Sequence, residues 1–516
     1  MKCLFSGCSY TRVSQMEIGS RGRFWCVLAS LLLLCGAIGC AGGAQAAGLP
    51  TPTPSPSPSP TPIPSPTPNP QASCGPAAQS HRVISYISSR ALDGSNNDGT
   101  AINLWSINSD CTGNAPQTML TVDPNRPPDQ LLSIPAISPD SQAWSPDGTR
   151  IIYFSNRALD GSDAVNSGCV GSQGQSAMAN VWIMNADGSG NHPLTSWHCN
   201  GPGVFITCCS LTLSWSPDGQ GVAFSSTANL DGSDQVNLIA LDNSNTNIWS
   251  LNADGSGLTP LTQLHMPVDT INPQRTFANS SQPMWSPDGS RIVYTSQRAL
   301  DGTNAMIVPF ANTNIWVMNA DGSGSNPLTL LAGFSGSPNS CSTPRWSPDG
   351  TRIAMQCFRP LDGSDTNGPS PSLAEIWIMN ADGSGATPIA EIPEFNLLDF
   401  AGPAWSPDGS RIAFLSGNAT VNLSVMNADG SGATSLTHNA GVHAPPQQCP
   451  TCYLGVVNFA WSPDGTQLAF ASDQTLDGSN NLPHVMNIWV VNADGSKMTP
   501  LTTLNTGSAG SPAWKP

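Results

Sequence analysis

Residues 285–302 read WSPDGSRIVYTSQRALDG, and residues 314–329 complete the phrase with NIWVMNADGSGSNPLT. WSPDG begins at Trp144, Trp215, Trp285, Trp346, Trp405 and Trp461, and NADG at Asn185, Asn252, Asn319, Asn380, Asn427 and Asn492. Such a period marks a repeat architecture, because one copy cannot bury its apolar face alone and copies must stack. Each copy predicts four short antiparallel strands. The first ends at the Trp, and Ser-Pro-Asp-Gly reverses the chain: Pro presets φ, Asp tolerates the next position, and Gly supplies a positive φ. The second strand covers residues 151–154, 222–224, 292–294, 412–414 and 468–470. The third, NIWVMN, is apolar on both faces, as suits a strand between neighbouring sheets. Asp-Gly turns it into a short PLT strand. Four strands per repeat around a ring make an all-β fold, a β-propeller.

The ends decide the count. The first copy has a second strand (83–88), a third (103–108) and a fourth (117–121), but no Trp strand before them. That strand stands at the far end, as Pro512-Ala513-Trp514, after the last PLT. The expectation is a seven-bladed β-propeller of four-stranded antiparallel blades, closed by the C-terminal strand pairing into the first blade.

WSPDG, a strand, then a hydrophobic strand ending in NADG and a PLT-like strand, resembles the WD-like repeat of the TolB propeller family. The resemblance covers residues 83–514. It implies the fold rather than an activity, since one architecture hosts many functions. In TolB of the Tol system an α/β domain used for partner contact precedes the propeller; here a proline-rich stretch stands in its place.

Arg21 and Arg23 precede an apolar run, 24–38, of secretory-signal length. Ala37-Ile38-Gly39-Cys40 is similar to a lipobox, which would put a lipid on Cys40; Ala44-Gln45-Ala46 offers ordinary signal cleavage instead, and an uncleaved anchor is the third reading. A start at Met16 would give a leader of ordinary length. Residues 50–70 are almost entirely Pro, Thr and Ser. Such a chain holds polyproline II, and at ~3 Å per residue could space a domain roughly 60 Å from its anchor. The expected division is leader 1–39, stalk 40–72 and propeller 73–516.

Net charge is −16. Apart from Glu17, Glu375, Glu391 and Glu394 every acidic residue is Asp, mostly in the recurring SPDG, LDG and ADG turns, so the acidity is largely turn chemistry. Beyond the leader only Lys497 and Lys515 remain as lysines, which argues against nucleic acid. Beyond Cys40 the cysteines are even in number, as a disulfide-bearing exported chain would have them. Cys74 with Cys111, Cys341 with Cys357, and Cys449 with Cys452 are local candidates, leaving Cys169, Cys199, Cys208 and Cys209 to pair among themselves. Zinc at the last group, beside His192 and His198, fits no standard ligand spacing. Cys449-Pro450-Thr451-Cys452 lacks a thioredoxin-like context and reads as a bridge.

Alternation of strands puts the SPDG and ADG turns at one end, the bottom, where they are short and alike. The top receives the long, dissimilar connections, 156–179, 227–246, 196–211, 263–282 and 438–456. Unlike loops on a rigid repeated scaffold are where binding sites tend to lie. One top element recurs, Leu-Asp-Gly, at Asp93, Asp160, Asp231, Asp301, Asp362 and Asp477. It reads first as a turn. It also reads as ligand contacts, or as oxygen ligands for calcium, though without the D-x-[DN]-x-[DN]-G order; no other cofactor is indicated. Blade six departs from the motif, with Gly417-Asn418-Ala419 in its place and Ser424 where the third-strand Trp belongs. The repeated tryptophans read as packing between blades, whereas Trp197, beside His198, reads as a contact residue outside the repeat.

No G-x-S-x-G elbow, phosphate-cradling loop or H-E-x-x-H occurs, so the chain reads as no enzyme. Peptidases with a similar propeller keep their nucleophile in a separate hydrolase domain. The expected role is an exported, lipid-anchored, monomeric propeller of the cell envelope or outer surface, binding a protein, peptide or glycan through its top face. A hydrolase or lyase built from top-loop His and Asp, and a purely structural envelope protein, are the alternatives.

Overall fold

The computed structural model describes residues 82–93, 95, 98–121, 137–161, 179–197, 212–228, 230, 238–239, 243–244, 246–264, 279–300, 312–331, 340–358, 374–392, 401–417, 421–438, 455–473 and 485–516. Blade four shows how one phrase folds. Its inner strand, Ser280–Trp285, pairs with Arg291–Ser296, which pairs with Asn314–Asn319, which pairs with Asn326–Pro327, each antiparallel. The SPDG turn between the first two closes with Gly289 N donating to Ser286 O, and Gly289 takes φ 71°. Seven such four-stranded sheets are present. A further two-stranded hairpin, Leu238–Ile239 with Asn243–Ser244, belongs to a blade-three connection and was not legible in the sequence.

Blade one is completed as the repeat count required. Ala509–Trp514 pairs with Val83–Arg90, with Ile84 opposite Trp514 and Ser85 opposite Ala513. The inner strands of neighbouring blades approach one another around an axis, which makes them the lining of the ring. An Arg82–Asp464 ion pair and a hydrogen bond from Gln142 Nε2 to Ser511 O fasten the seam on either side of the C-terminal strand.

The repeated residues explain the stacking. Six of the seven inner-strand Trp are buried and donate their indole N–H backwards to the preceding blade: Trp144 to Ala513 O (3.3 Å), Trp215 to Ala143 O (3.1 Å), Trp346 to Met284 O (3.2 Å), Trp405 to Arg345 O (3.2 Å), Trp461 to Ala404 O (3.0 Å) and Trp514 to Ala460 O (3.0 Å); Trp285 Nε1 finds no partner among the described residues. Over these rings lies a cation from the blade before, Arg150 on Trp215, Arg291 on Trp346, Arg352 on Trp405 and Arg411 on Trp461, at 4.6 to 5.1 Å. Such contacts are worth ~0.5–2 kcal/mol each. Three parallel bridges, Thr246 to Asn279, Val421 to Gly455 and Met486 to Ser508, join a third strand to the next inner strand.

The PLT threonine has a purpose that composition does not disclose. Asn247, wholly buried, accepts from Thr262 Oγ1 (2.9 Å) and Leu264 N (2.8 Å), and its Nδ2 donates to Leu264 O (3.1 Å). Thr262 Oγ1 in turn accepts from Ile248 N. Asn180 with Thr195, Asn314 with Thr329 and Asn487 with Thr502 repeat the latch. A buried amide must have its bonds met, and here three are met by Thr262 and Leu264 of one short stretch of chain. Blade five breaks the pattern: Glu375 replaces the Asn and Ala390 the Thr, and Glu375 Oε2 accepts from Trp377 Nε1 at 2.8 Å.

Candidate functional site

The two ends of the ring differ chemically. At the bottom, every described turn is closed on itself. Asp288 Oδ1 accepts from Ser286 Oγ (2.6 Å), Ser290 N (3.0 Å) and Ser290 Oγ (2.8 Å). In the ADG turn, Asp254 Oδ1 accepts from Ser256 N and Ser256 Oγ. Bonds to the charged form favour it, and the Ser hydroxyls together with the backbone amides hold Asp147, Asp288, Asp349 and Asp408 down at about 2, against an ordinary 3.8. A depressed folded value means that the stabilisation is full above the unfolded value and disappears as pH falls through the folded one. We expect a melting temperature that is flat above pH ~5 and declines steeply between pH ~4 and ~2; thermal melts across that range check it, and a decline centred near pH 6 would refute it.

At the top, the ring presents less uniform chemistry. Counting back from the Trp, the third residue of the inner strands is polar in most blades: Thr212, Gln282, Thr343, Asn458 and Ser511. Gln282, Thr343 and Ser511 hold φ of 53 to 57°, at bulges that interrupt the pairing. Bulges re-aim side chains and are over-represented beside sites. Gln282 Oε1 accepts from Thr343 N of the next blade (2.7 Å), and Asn458 Oδ1 from Ser511 N (3.1 Å). Buried Gln142 Oε1 and Thr212 Oγ1 find no partner among the described residues. Arg345, two residues after Thr343, occupies the place that Ala143, Ala404, Ala460 and Ala513 take in other blades. It is half-buried, its Nη1 donates to Pro344 O (3.0 Å), and desolvation lowers its pKa to about 10. It faces no carboxylate partner among the described residues. This collar was missed in the sequence, where only its spacing from the Trp could have shown it.

The residues singled out earlier fall as follows. Asp93 and Asp160 are exposed, and Asp93 Oδ1 accepts from Ser95 N (2.8 Å), a local turn. The arginine just before the motif carries structure: Arg90, Arg157 and Arg298 lie over Trp105, Trp182 and Trp316 at 5.2 to 5.5 Å. Asp231, Asp301, Asp362, Asp477 and His198 lie outside the described residues. Trp197 requires correction. It is 2% exposed and packs on Phe224 and Trp249, so it offers no surface to a ligand. Its N donates to Asn180 Oδ1, just as Leu264 N does to Asn247, so it stands inside the repeat where other blades have Leu. His192, exposed, sits past the ADG turn at the bottom. Cys341 and Cys357 are bonded, directly opposite each other across two strands. Cys111 is also disulfide-bonded, to a cysteine outside the described residues; Cys40, Cys74, Cys169, Cys199, Cys208, Cys209, Cys449 and Cys452 all lie there. No group of three or more His, Cys, Asp or Glu among the described residues is placed to hold a metal.

No family model matches the chain. Solved structures that align with it include TolB from Acinetobacter baumannii, at 18% identity and TM-score 0.38 over 68% of this chain and 62% of that one. The fold is a seven-bladed β-propeller. A prolyl endopeptidase structure aligns with this propeller at 12% identity and TM-score 0.46, over 83% of this chain and 50% of that one. Over 132 residues the chain is 30% identical to the uncharacterized peptidase YuxL of Bacillus subtilis, across 26% of this chain and 16% of that protein. The match thus spans about a sixth of the curated relative. The match to a protein named as a peptidase corrects the reading of the chain as no enzyme, which the lack of a familiar motif does not establish.

Proposed function

We propose that this propeller is exported, anchored by lipid at Cys40 on a stalk of residues 40–72, and binds a protein, peptide or glycan of the cell envelope at its top. The observation that carries the reading is the contrast between ends. The bottom turns satisfy their own hydrogen bonds and repeat with little variation, whereas the top collects an ion-unpaired Arg345, unpartnered Gln142 and Thr212 atoms, and the dissimilar connections. Oxidised Cys341, Cys357 and Cys111 support export, since disulfides persist in oxidising compartments. No helix among the described residues is long and apolar enough to cross a membrane. The test is capture from envelope extract by the full propeller, by an Arg345→Gln variant, and by a variant with residues 162–178 and 265–278 replaced by short Gly-Ser links. Capture lost in the trimmed variant and reduced several-fold in Arg345→Gln is expected; equal capture by all three would overturn the reading. Labelled palmitate incorporated by the wild type and not by Cys40→Ser checks the anchor.

The peptidase match favours a second reading, a hydrolase whose site draws on His and Asp of the top connections. His438, exposed just past the blade-six outer strand, is the described residue in the right place for it. Release of amine from a peptide library by the purified chain, lost in His438→Ala, is the expected result; a library untouched at high enzyme concentration would dispose of this reading.

A further inference from the structure

Of the described arginines, all but one have structural duties. Most lie over indoles, as Arg352 does on Trp405 and Arg298 on Trp316, and Arg82 pairs with Asp464. The exception is Arg345. Among the described residues it covers no ring and meets no carboxylate, and its one side-chain bond runs from Nη1 to Pro344 O (3.0 Å). Packing does not ask for so long a side chain, since Ala143, Ala404, Ala460 and Ala513 fill the same position in other blades.

The bond to Pro344 locates the guanidinium. Ser347 N donates to Arg352 O, and Arg345 stands opposite Ala354, so Arg345 turns its own N–H toward the ladder. The trans peptide before it then points Pro344 O the other way, off the unpaired edge of Ser340–Trp346. Those edges line the ring. Proline recurs at this place, as Pro283, Pro403 and Pro512, because an edge position has no ladder bond to lose. Arg345 thus folds its head over the rim of the axial passage. Its other N–H groups have no protein acceptor among the described residues and are not sealed from water. The surrounding strands still desolvate it enough to lower its pKa to about 10, which leaves it charged at neutral pH. A charged guanidinium with most of its five donors idle is fitted to take an anion.

We propose that the axial passage holds a carboxylate at Arg345. The guanidinium fork matches the two oxygens of that group, and one cation balances one negative charge, which favours a monocarboxylate over a phosphate dianion. The polar collar suits the remainder of such a ligand. Buried Gln142 Oε1 and Thr212 Oγ1, on the inner-strand side of blades two and three, have no partner among the described residues and would accept from its amide or hydroxyl groups. The carboxylate can belong to a free hydroxy acid or to the C-terminus of a polypeptide. The assignment rests on the binding role proposed above and names the group that is held.

The test is ligand-observed fluorine NMR on the full chain, with trifluorolactate and N-trifluoroacetyl-triglycine as probes, at an ionic strength that screens loose surface charge. Wild type should broaden at least one acid saturably. Arg345→Ala, a change to what four other blades carry and so one the fold accepts, should weaken that binding at least tenfold. Arg345→Lys, which keeps the charge and loses the fork, should fall between. The tighter of the two acids names the source, and the C-terminal amide of the peptide should not bind. Replacing residues 162–178 and 265–278 by short links should leave acid binding unchanged even where capture from envelope extract is lost, so the two proposals fail separately. Binding of neither acid by wild type, equal binding by wild type and Arg345→Ala, or an amide that binds as tightly as the acid would overturn the assignment.

Discussion

Deleting residues 509–516 leaves a chain with no cooperative unfolding transition. The deletion removes the inner strand of blade one, and with it the pairing of Ile84 with Trp514 and Ser85 with Ala513. It also removes the 3.0 Å bond from Trp514 to Ala460 O and the Lys515 cation over Trp144, so blades seven and two both lose their neighbour. Trp514→Ala alone should cost ~3–5 kcal/mol as a large-to-small core change. Loss of the whole strand opens the ring and exceeds the ~5–15 kcal/mol that holds a domain folded. Thermal melts by near-ultraviolet circular dichroism decide the matter, and a deletion mutant that still melts within a few degrees of wild type would show that closure lies elsewhere.

Gly455→Ala is the most damaging single methyl. Gly455 takes φ 118°, and a Cβ there would stand 2.1 Å from Val421 O and 2.8 Å from Val421 N, backbone atoms that cannot step aside. The two residues form the bridge between blades six and seven, with Val456 N donating to Val421 O at 3.0 Å. An adverse φ costs ~1–3 kcal/mol and overpacking ~1–3 kcal/mol, so roughly 2–6 kcal/mol is expected. Gly161→Ala is the control: its φ is 80° but a Cβ would meet nothing within 4 Å, so its cost is the φ term alone. Equal denaturant midpoints for the two variants would refute the steric account.

Blade number and ring closure were legible because turn chemistry is local. Pro-Asp-Gly and Asp-Gly announce where the chain reverses, and counting the strands between them finds the one that returns at Trp514. What joins blades was less legible. The indole bonds run between residues some sixty apart, such as Trp346 and Met284, and spacing alone cannot say which carbonyl a ring will meet. The Asn–Thr latch was available in principle, since Asn and Thr recur at a fixed separation of fifteen, as in Asn247 and Thr262. Reading it would have placed Trp197 in the core, because Leu264, Leu331 and Leu504 stand two beyond the Thr in other latched blades. Ser424 was noticed as a departure, but only the coordinates show that it lies buried opposite Phe414 and bonded to Ser416.

Ser85 and Ala513, which meet across the seam, are 428 residues apart. A ribosome adding ~5–20 residues per second needs on the order of half a minute or more to deliver the second after the first. Throughout that interval the opening sheet waits with one edge bare, while the middle of the chain can condense. The last few residues to emerge therefore set the moment at which the circle is sealed.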